Sequence, residues 1–393
     1  MRIGREATPG RTHAALQAFP GRLEASAREA RSAPRAGAPC ALPDALLLPF
    51  LPPPRSLPIP ARGPRTCPPM PLDSPAGVAA CGRLGNRSWV REFVLLGIPG
   101  ARGRERALLL LLAAVYAGAL LGNALLLAAV GTAPRLRTPM YFFLGNLSVF
   151  DLGFCSTTVP KLLAYLSGRS PAISARGCAA QLFFYHFLGC TECLLYTVMA
   201  YDRFAAVCRP LRYAALLRPR ACAALAAGTW LGGCAHAALL TALTFRLPYC
   251  GPAHVAYYFC DIPALLPLAR GDAALARRVS FTNVGLLSLG CFALILASYT
   301  RIGVAVARMR STQGRQRALS TCGAHVAAIA CAYGPVIIIY LQRRPSPLLG
   351  AVVQILNNLV APALNPLIYS LRNKDVKDAL RALLPGRSPL RER

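Results

Sequence analysis

From about residue 107 onward, long apolar stretches alternate with short basic ones. Seven such stretches lie at 107–130, 140–166, 176–208, 220–245, 277–307, 316–341 and 348–371. A helix needs roughly 20 apolar residues to cross the ~30 Å hydrocarbon core of a bilayer. Every stretch meets that length. The second, third and fifth exceed it, so those are expected to tilt or to project beyond the lipid. No water reaches backbone N–H and C=O groups inside lipid, so each stretch must be a helix. The pattern predicts an all-α membrane protein, a bundle of seven transmembrane helices (spans 1 to 7) followed by a short helix after span 7.

Upstream the pattern breaks. Residues 1–80 are rich in Pro, Ala and Arg, with runs such as PFLPPPR (49–55) and PRTCPPMP (64–71). Proline removes backbone donors and breaks helices. The patch ALLLPFL (45–51) is short, proline-bounded and too far along the chain for a signal-peptide core. Arg2, Arg5, Arg11 and Arg22 faintly resemble a mitochondrial transit peptide; the expectation is a disordered extension, with Met70 as an internal start. The organisation is then an extension (1–80), an extracellular segment (81–106), the seven-helix domain (107–371) and a cytoplasmic tail (372–393).

Composition narrows the function. Hydrophobic residues make up 55% of the 393 and charged residues 15%, against about 25% charged in ordinary soluble domains. A disordered acidic protein and an ordinary soluble enzyme are both excluded. Lys plus Arg is 44 and Asp plus Glu is 15, a net charge of +29. That excess raises nucleic acid as a partner, but the bases sit between apolar stretches, with no aromatic-interleaved stripe and no zinc-finger spacing, so no nucleic acid is expected. Short-loop arginines set orientation instead. Arg135 and Arg137, then Arg209, Arg212, Arg218 and Arg220, then Arg301, Arg308, Arg310, Arg315 and Arg317, and finally Arg372, Lys374, Lys377 and Arg381 fall on one side. The other side has Arg169, Arg246, Arg270, Arg277, Arg278, Arg343 and Arg344. The N-terminus is expected outside and the C-terminus inside. Asn86-Arg87-Ser88 is then a glycosylation site, whereas Asn146-Leu147-Ser148 lies within span 2 and is not.

Some residues do not belong in lipid. A mid-membrane carboxylate costs at least ~2.5–3.5 kcal/mol on insertion scales and is a functional hypothesis by default. Asp151 in span 2 and Glu192 in span 3 are such acids, with Asn123 and Asn365 at comparable depth. Together they form a candidate polar cluster for a cation and waters; the competing reading is protonated acids bonded to neighbouring helices. Asp202 and Arg203 end span 3, where long side chains pair laterally. Pro366 frees a backbone carbonyl and kinks span 7, so Asn365 and Tyr369 are expected to bond inward at a hinge. Most of the fifteen cysteines lie in apolar stretches as small hydrophobes. Cys178, at the outer start of span 3, faces two candidate partners in the following outside loop, Cys250 and Cys260.

These residues stand in motifs. EFVLLGIPG (92–100), GN (122–123), LRTPMYFFLGNLSVFDL (136–152), TVPKLL (158–163), MAYDRFAAVCRPLRY (199–213), FCDIP (259–263), SYTRI (298–302), ALSTCGAHV (318–326), YGP (333–335) and PALNPLIYSLRNKDVKDAL (362–380) follow in order. In that order, residues 86–383 resemble a tetrapod-type (class II) olfactory receptor, within the rhodopsin-like G-protein-coupled receptors. The resemblance implies an odorant ligand, a heterotrimeric G protein of the stimulatory type, a plasma-membrane location and no enzyme activity. It makes Asp202 and Arg203 the activation switch, Asn365, Pro366 and Tyr369 the hinge, and Asp151 and Glu192 the acids of a sodium site, with no other cofactor or metal. It pairs Cys178 with Cys260. It points to Tyr185, His186, Gly189, Cys190, Asn283, Leu287, Tyr333 and Tyr340 as odorant contacts in spans 3, 5 and 6. Two departures stand out. Phe204 replaces the family's tyrosine after Asp-Arg, and Arg270 replaces a cysteine that partners Cys250.

A transporter is the alternative from another class, with Asp151 and Glu192 as ion relays; the paired broken helices and repeats of many transporters are missing. A membrane enzyme is disfavoured by the lack of HExxH, Walker and GxSxG motifs. Cys190-Thr191-Glu192-Cys193 lacks the second ligand pair of a zinc site.

Overall fold

Seven long helices occupy the seven apolar stretches: α1 (Glu105–Thr132), α2 (Pro139–Leu166), α3 (Ala175–Cys208), α4 (Pro219–Phe245), α5 (Ala274–Ala307), α6 (Thr312–Leu341) and α7. The last runs as an α-helix (Pro347–Ile355), a π turn (Leu356–Val360) and an α-helix again (Ala361–Leu371). The computed structural model describes residues 90–249, 253–341, 346–371 and 374–383. The extension 1–80, Met70, Asn86, Cys250, Arg343 and Arg344 lie outside the described residues. Among the described residues, α1 to α5 and α7 are long and apolar enough to cross a membrane. Helix α6 has 30 residues, and its 324–341 portion carries no Lys, Arg, Asp or Glu.

Local chemistry sets the helix ends. Proline opens α2, α4 and α7, where its fixed φ suits a first turn and its missing N–H costs nothing. The Ser174 hydroxyl accepts from Gly177 N at 3.1 Å to cap α3, and Ser346 accepts from Leu349 N at 3.2 Å to cap α7. Every helix begins one to four residues before its apolar stretch, α5 and α6 by the most. Asp272 accepts from Ala274 N at 2.7 Å and starts α5 three residues before its apolar stretch. Ser311 accepts from Gly314 N at 3.2 Å and starts α6 four residues before its apolar run. Capping overrides hydropathy at both places. The expected helix after span 7 is α8 (Lys374–Ala382), which packs Val376, Ala379 and Leu380 onto the bundle.

Helix α3 is the hub and packs on α2, α4 and α5. The main core fills with Phe143, Leu147, Phe150, Leu195, Tyr196 and Met199, all at most 1% exposed. The arginine-rich loops mark one end of the bundle, the basic end. A small sheet closes the other. There β1 (Glu92–Leu95) lies between β2 (Ala172–Ser174), antiparallel with Phe93 opposite Ile173, and β3 (His254–Val255), parallel with Val94 opposite His254. Alternation turns Phe93 and Leu95 inward. The Phe93 ring meets Tyr249 edge-on at 5.5 Å and Phe245 at 6.5 Å. Burial pushes the Tyr249 phenol up to about 12, and its hydroxyl donates to the Thr244 carbonyl at 3.0 Å. Gly97, just past the strand, has φ +76°, and a Cβ there would clash with the Tyr165 ring, so only glycine fits. The Lys161 ammonium donates to the Ser170 and Ala172 carbonyls at 3.0 and 2.5 Å. A disulfide joins Cys178 at the start of α3 to Cys260, 82 positions later in sequence, with Cα atoms 5.5 Å apart.

Candidate functional site

The polar interior begins at Pro366. Proline has no N–H, so the Pro362 carbonyl one turn earlier loses its helical donor. Asn123 of α1 supplies one: its Nδ2 donates to Pro362 O at 2.9 Å and to Ala119 O at 3.0 Å. Gly122 makes this approach possible, since a Cβ there would sit 3.2 Å from the Pro366 ring. The Asn365 Nδ2 donates to both Asp151 oxygens, at 3.0 and 3.2 Å, and reaches the Tyr196 hydroxyl at 3.5 Å. Asp151 is fully buried. Glu192, one turn before Tyr196 on α3, lies beside that hydroxyl and within electrostatic range of Asp151. The sequence-based grouping of four residues therefore divides. Asp151, Glu192 and Asn365 meet around Tyr196, whereas Asn123 repairs the backbone at the kink.

At the basic end, Arg203 donates from Nε to Asp202 Oδ2 at 2.7 Å and also from Nη2. The other Asp202 oxygen accepts from the Tyr213 hydroxyl at 2.8 Å, from the loop after α3. Burial, together with the Asp202 charge, raises the Tyr213 phenol above its ordinary value, so it stays a donor. Phe204 packs with Ile302, Val306 and Cys322, and the Arg209 guanidinium sits 5.7 Å over its ring. Deeper in, the Tyr299 hydroxyl and His325 Nδ1 lie 2.7 Å apart and join α5 to α6. Tyr369 departs from expectation. It is buried, but its hydroxyl has no partner among the described residues. The kink turns Asn365 toward Asp151, and the carbonyl that Pro366 frees is already taken by Asn123.

Toward the sheet end, Tyr185 donates to Gln354 Oε1 of α7 at 2.9 Å. Its ring stacks on Phe154 at 5.6 Å and tilts against Phe259 at 4.8 Å. His186 Nε2 is 3.5 Å from Asp261 Oδ1. The His186 ring lies 6.1 Å from His236 of α4, which in turn neighbours Asn283 of α5. Gly189 faces Phe154, and Cys190 is buried. Leu287 is half-buried on α5. Tyr333 of α6 packs on Phe292 at 5.5 Å and neighbours Cys193. Tyr340 lies in the last turn of α6, and its side chain is outside the described residues. Tyr185, His186 and Asn283 thus form one patch, whereas Tyr333 faces a separate group of thiols. Tyr196, Tyr213, His236, Asp261 and Gln354 belong to these clusters and were not singled out from sequence. Only Tyr213 and Asp261 had a signal, since both stand in quoted motifs.

Seven helices, a kink repaired by Asn123 and a capped Asp-Arg pair define an architecture, and one comparison decides whose. A family model described as olfactory receptor matches residues 112–386. The chain belongs to the olfactory receptor family. Olfactory receptor 10D3 of Mus musculus is 62% identical to this receptor over 307 residues, 78% of this chain and 98% of its own. Olfactory receptor 10D3 of Homo sapiens is 62% identical over 299 residues, 76% of this chain and 96% of its own. Olfactory receptor 10N1 of Mus musculus is 59% identical over 298 residues, again 76% and 96%. The receptor is a multi-pass membrane protein and, like its family, not an enzyme.

Proposed function

We propose that the receptor binds small, volatile, largely apolar odorants within the bundle and in response activates a stimulatory heterotrimeric G protein, raising cyclic AMP. The sheet end faces outside and the basic end the cytoplasm, because short-loop arginines favour the inner face. In this orientation Asn86 carries an oligosaccharide. Odorant contacts come from Tyr185, His186, Gly189, Cys190, Asn283, Leu287, Tyr333 and Tyr340. A ligand of ~10–12 heavy atoms at ~0.5–0.7 kcal/mol each binds near −5 to −8 kcal/mol, roughly 0.1 mM to 1 μM.

The observation that carries this reading is the buried knot of Asp151, Asn365 and Tyr196. It ties α2, α3 and α7 together by side chains alone, so its bonds can exchange without breaking the backbone of any helix. A ligand that prefers one arrangement shifts the bundle toward it. At the basic end the shift releases Arg203 from Asp202 and Tyr213, and the freed guanidinium meets the G protein. The knot also suits a sodium ion. Hard cations take oxygen ligands, and Asp151 offers carboxylate oxygens while the buried Asn365 Oδ1 lacks a partner among the described residues. Asp151 and Glu192 would hold the ion, which would screen the two acids in the resting arrangement.

The test is cyclic AMP in cells expressing the full chain, read with surface level across a broad odorant panel. At least one odorant should raise cyclic AMP. Silence across the panel, at a surface level where a related receptor responds, would overturn the proposal.

A further inference from the structure

The π turn of α7 (Leu356–Val360) contains two adjacent asparagines that the polar knot does not use. A π turn inside an α-helix is rare and frequently marks a functional site. Asn358 is 1% exposed. Its Nδ2 donates to the Tyr258 hydroxyl at 3.4 Å, yet its Oδ1 has no partner among the described residues. The Asn357 Oδ1 is buried and equally unpartnered. Buried amides are costly unless their hydrogen bonds are made, and a bilayer offers no solvent to make them.

The chemistry of the gap is specific. A carboxamide oxygen carries lone pairs and no proton, so whatever completes it must bring an O–H or N–H. Aldehydes, ketones, esters and ethers bring none. Gln354, one turn nearer the sheet end, already accepts from Tyr185 at 2.9 Å and does not compete. Beside it stand rings suited to an apolar skeleton: Tyr185, Phe154 and Phe259, with Tyr257 at 5.0 Å from Phe259. The Cys178–Cys260 disulfide anchors the loop that brings Tyr257, Tyr258 and Phe259 there. Tyr257 donates to the Gly350 carbonyl at 3.3 Å, which ties that loop to α7 on a second point.

We propose that the π turn is the polar anchor of the odorant site, with Asn358 Oδ1 accepting the hydroxyl of an alcohol or phenol ligand and Asn357 Oδ1 a second acceptor. This rests on the odorant-receptor reading and names the ligand class for it. The rival occupant of the same gap is a buried water.

The test compares ligands that share a carbon skeleton: a primary alcohol, its methyl ether and its aldehyde, and likewise a phenol and its methyl ether. Each is titrated on cells expressing the full receptor, with surface level measured in parallel. The alcohol should act at about tenfold lower concentration than its ether, the worth of one good hydrogen bond. Asn358→Leu should remove that difference by weakening the alcohol and leaving the ether unchanged. Asn358→Thr, which keeps an acceptor oxygen, should retain part of it. An ether or aldehyde as potent as the alcohol on the unaltered receptor overturns the inference without any variant. So does Asn358→Leu shifting alcohol and ether alike, the result expected if a water fills the gap. Silence of every compound, with a related receptor responding, counts instead against the odorant-receptor reading and removes the inference with it.

Discussion

Pro366 cannot donate a backbone proton, and much of the interior order around it follows from that deficit. Asn123 fills the gap at Pro362, and Gly122 lets the two helices approach closely enough for it to do so. Leaving the buried carbonyl unpaired costs ~1–3 kcal/mol, so Asn123→Ala should lower the thermal midpoint of the detergent-solubilised receptor. Thr132→Ala, which deletes an exposed bond to Ala128 O, should leave it nearly unchanged. Equal midpoints for the two variants would contradict the repair. Tyr213 makes a different point. Its hydroxyl holds Asp202, and a hydrogen bond to a charged group is worth ~1.5–3 kcal/mol, roughly tenfold or more in a two-state ratio. Tyr213→Phe keeps the ring and should raise basal cyclic AMP at equal surface level; an unchanged basal signal would show that the phenol does not restrain the switch. Asp151 and Asn365 were legible in the sequence because a polar residue in an apolar stretch is conspicuous. Tyr196 and Gln354 were not, because a tyrosine or an amide in a helix looks ordinary until its partner from a distant span is known.

At the scale of elements, lipid made the helices readable. A bilayer demands a length and forbids unpaired backbone, and the stretches obey to within a few residues. What differs has local causes: the caps at Asp272 and Ser311 start α5 and α6 early. The sheet escaped notice because its strands have only four, three and two residues, too few to show alternation. The π turn escaped because one extra residue in a turn leaves an apolar run unchanged. Cys178 and Cys260 were visible as candidates; spacing left Cys250 open, and the family resemblance paired Cys178 with Cys260, the bridge that the structure contains. Two variants test whether the sheet end is a folded unit. Phe93→Ala empties a site 1% exposed, and such truncations cost ~3–5 kcal/mol. Cys260→Ser removes a bridge, typically ~2–5 kcal/mol. Both should cut the surface level sharply, and Cys178→Ser combined with Cys260→Ser should cut it no further than either alone. A surface level unaffected by Phe93→Ala would mean that β1 rests on the bundle without supporting it.

For the whole molecule, the arrangement reads as a path from one face to the other. Aromatic rings and two amide oxygens without partners among the described residues lie near the sheet end. A buried knot joins three helices at mid-depth. A capped ion pair closes the basic end. Charge asymmetry gives that path its proposed direction, because arginines in short loops favour the inner face. The identity of the odorant was not readable, because it depends on side chains that meet only once α3, α4, α5 and α7 are packed. The most direct measurement is nucleotide exchange on a purified stimulatory G protein, with the full receptor in lipid nanodiscs and an odorant that is active in cells. The odorant should accelerate exchange with the unaltered receptor and have no effect with Arg203→Ala that still binds it. Equal acceleration by both, or none by the unaltered receptor, would contradict the release of Arg203 as the step that carries the signal.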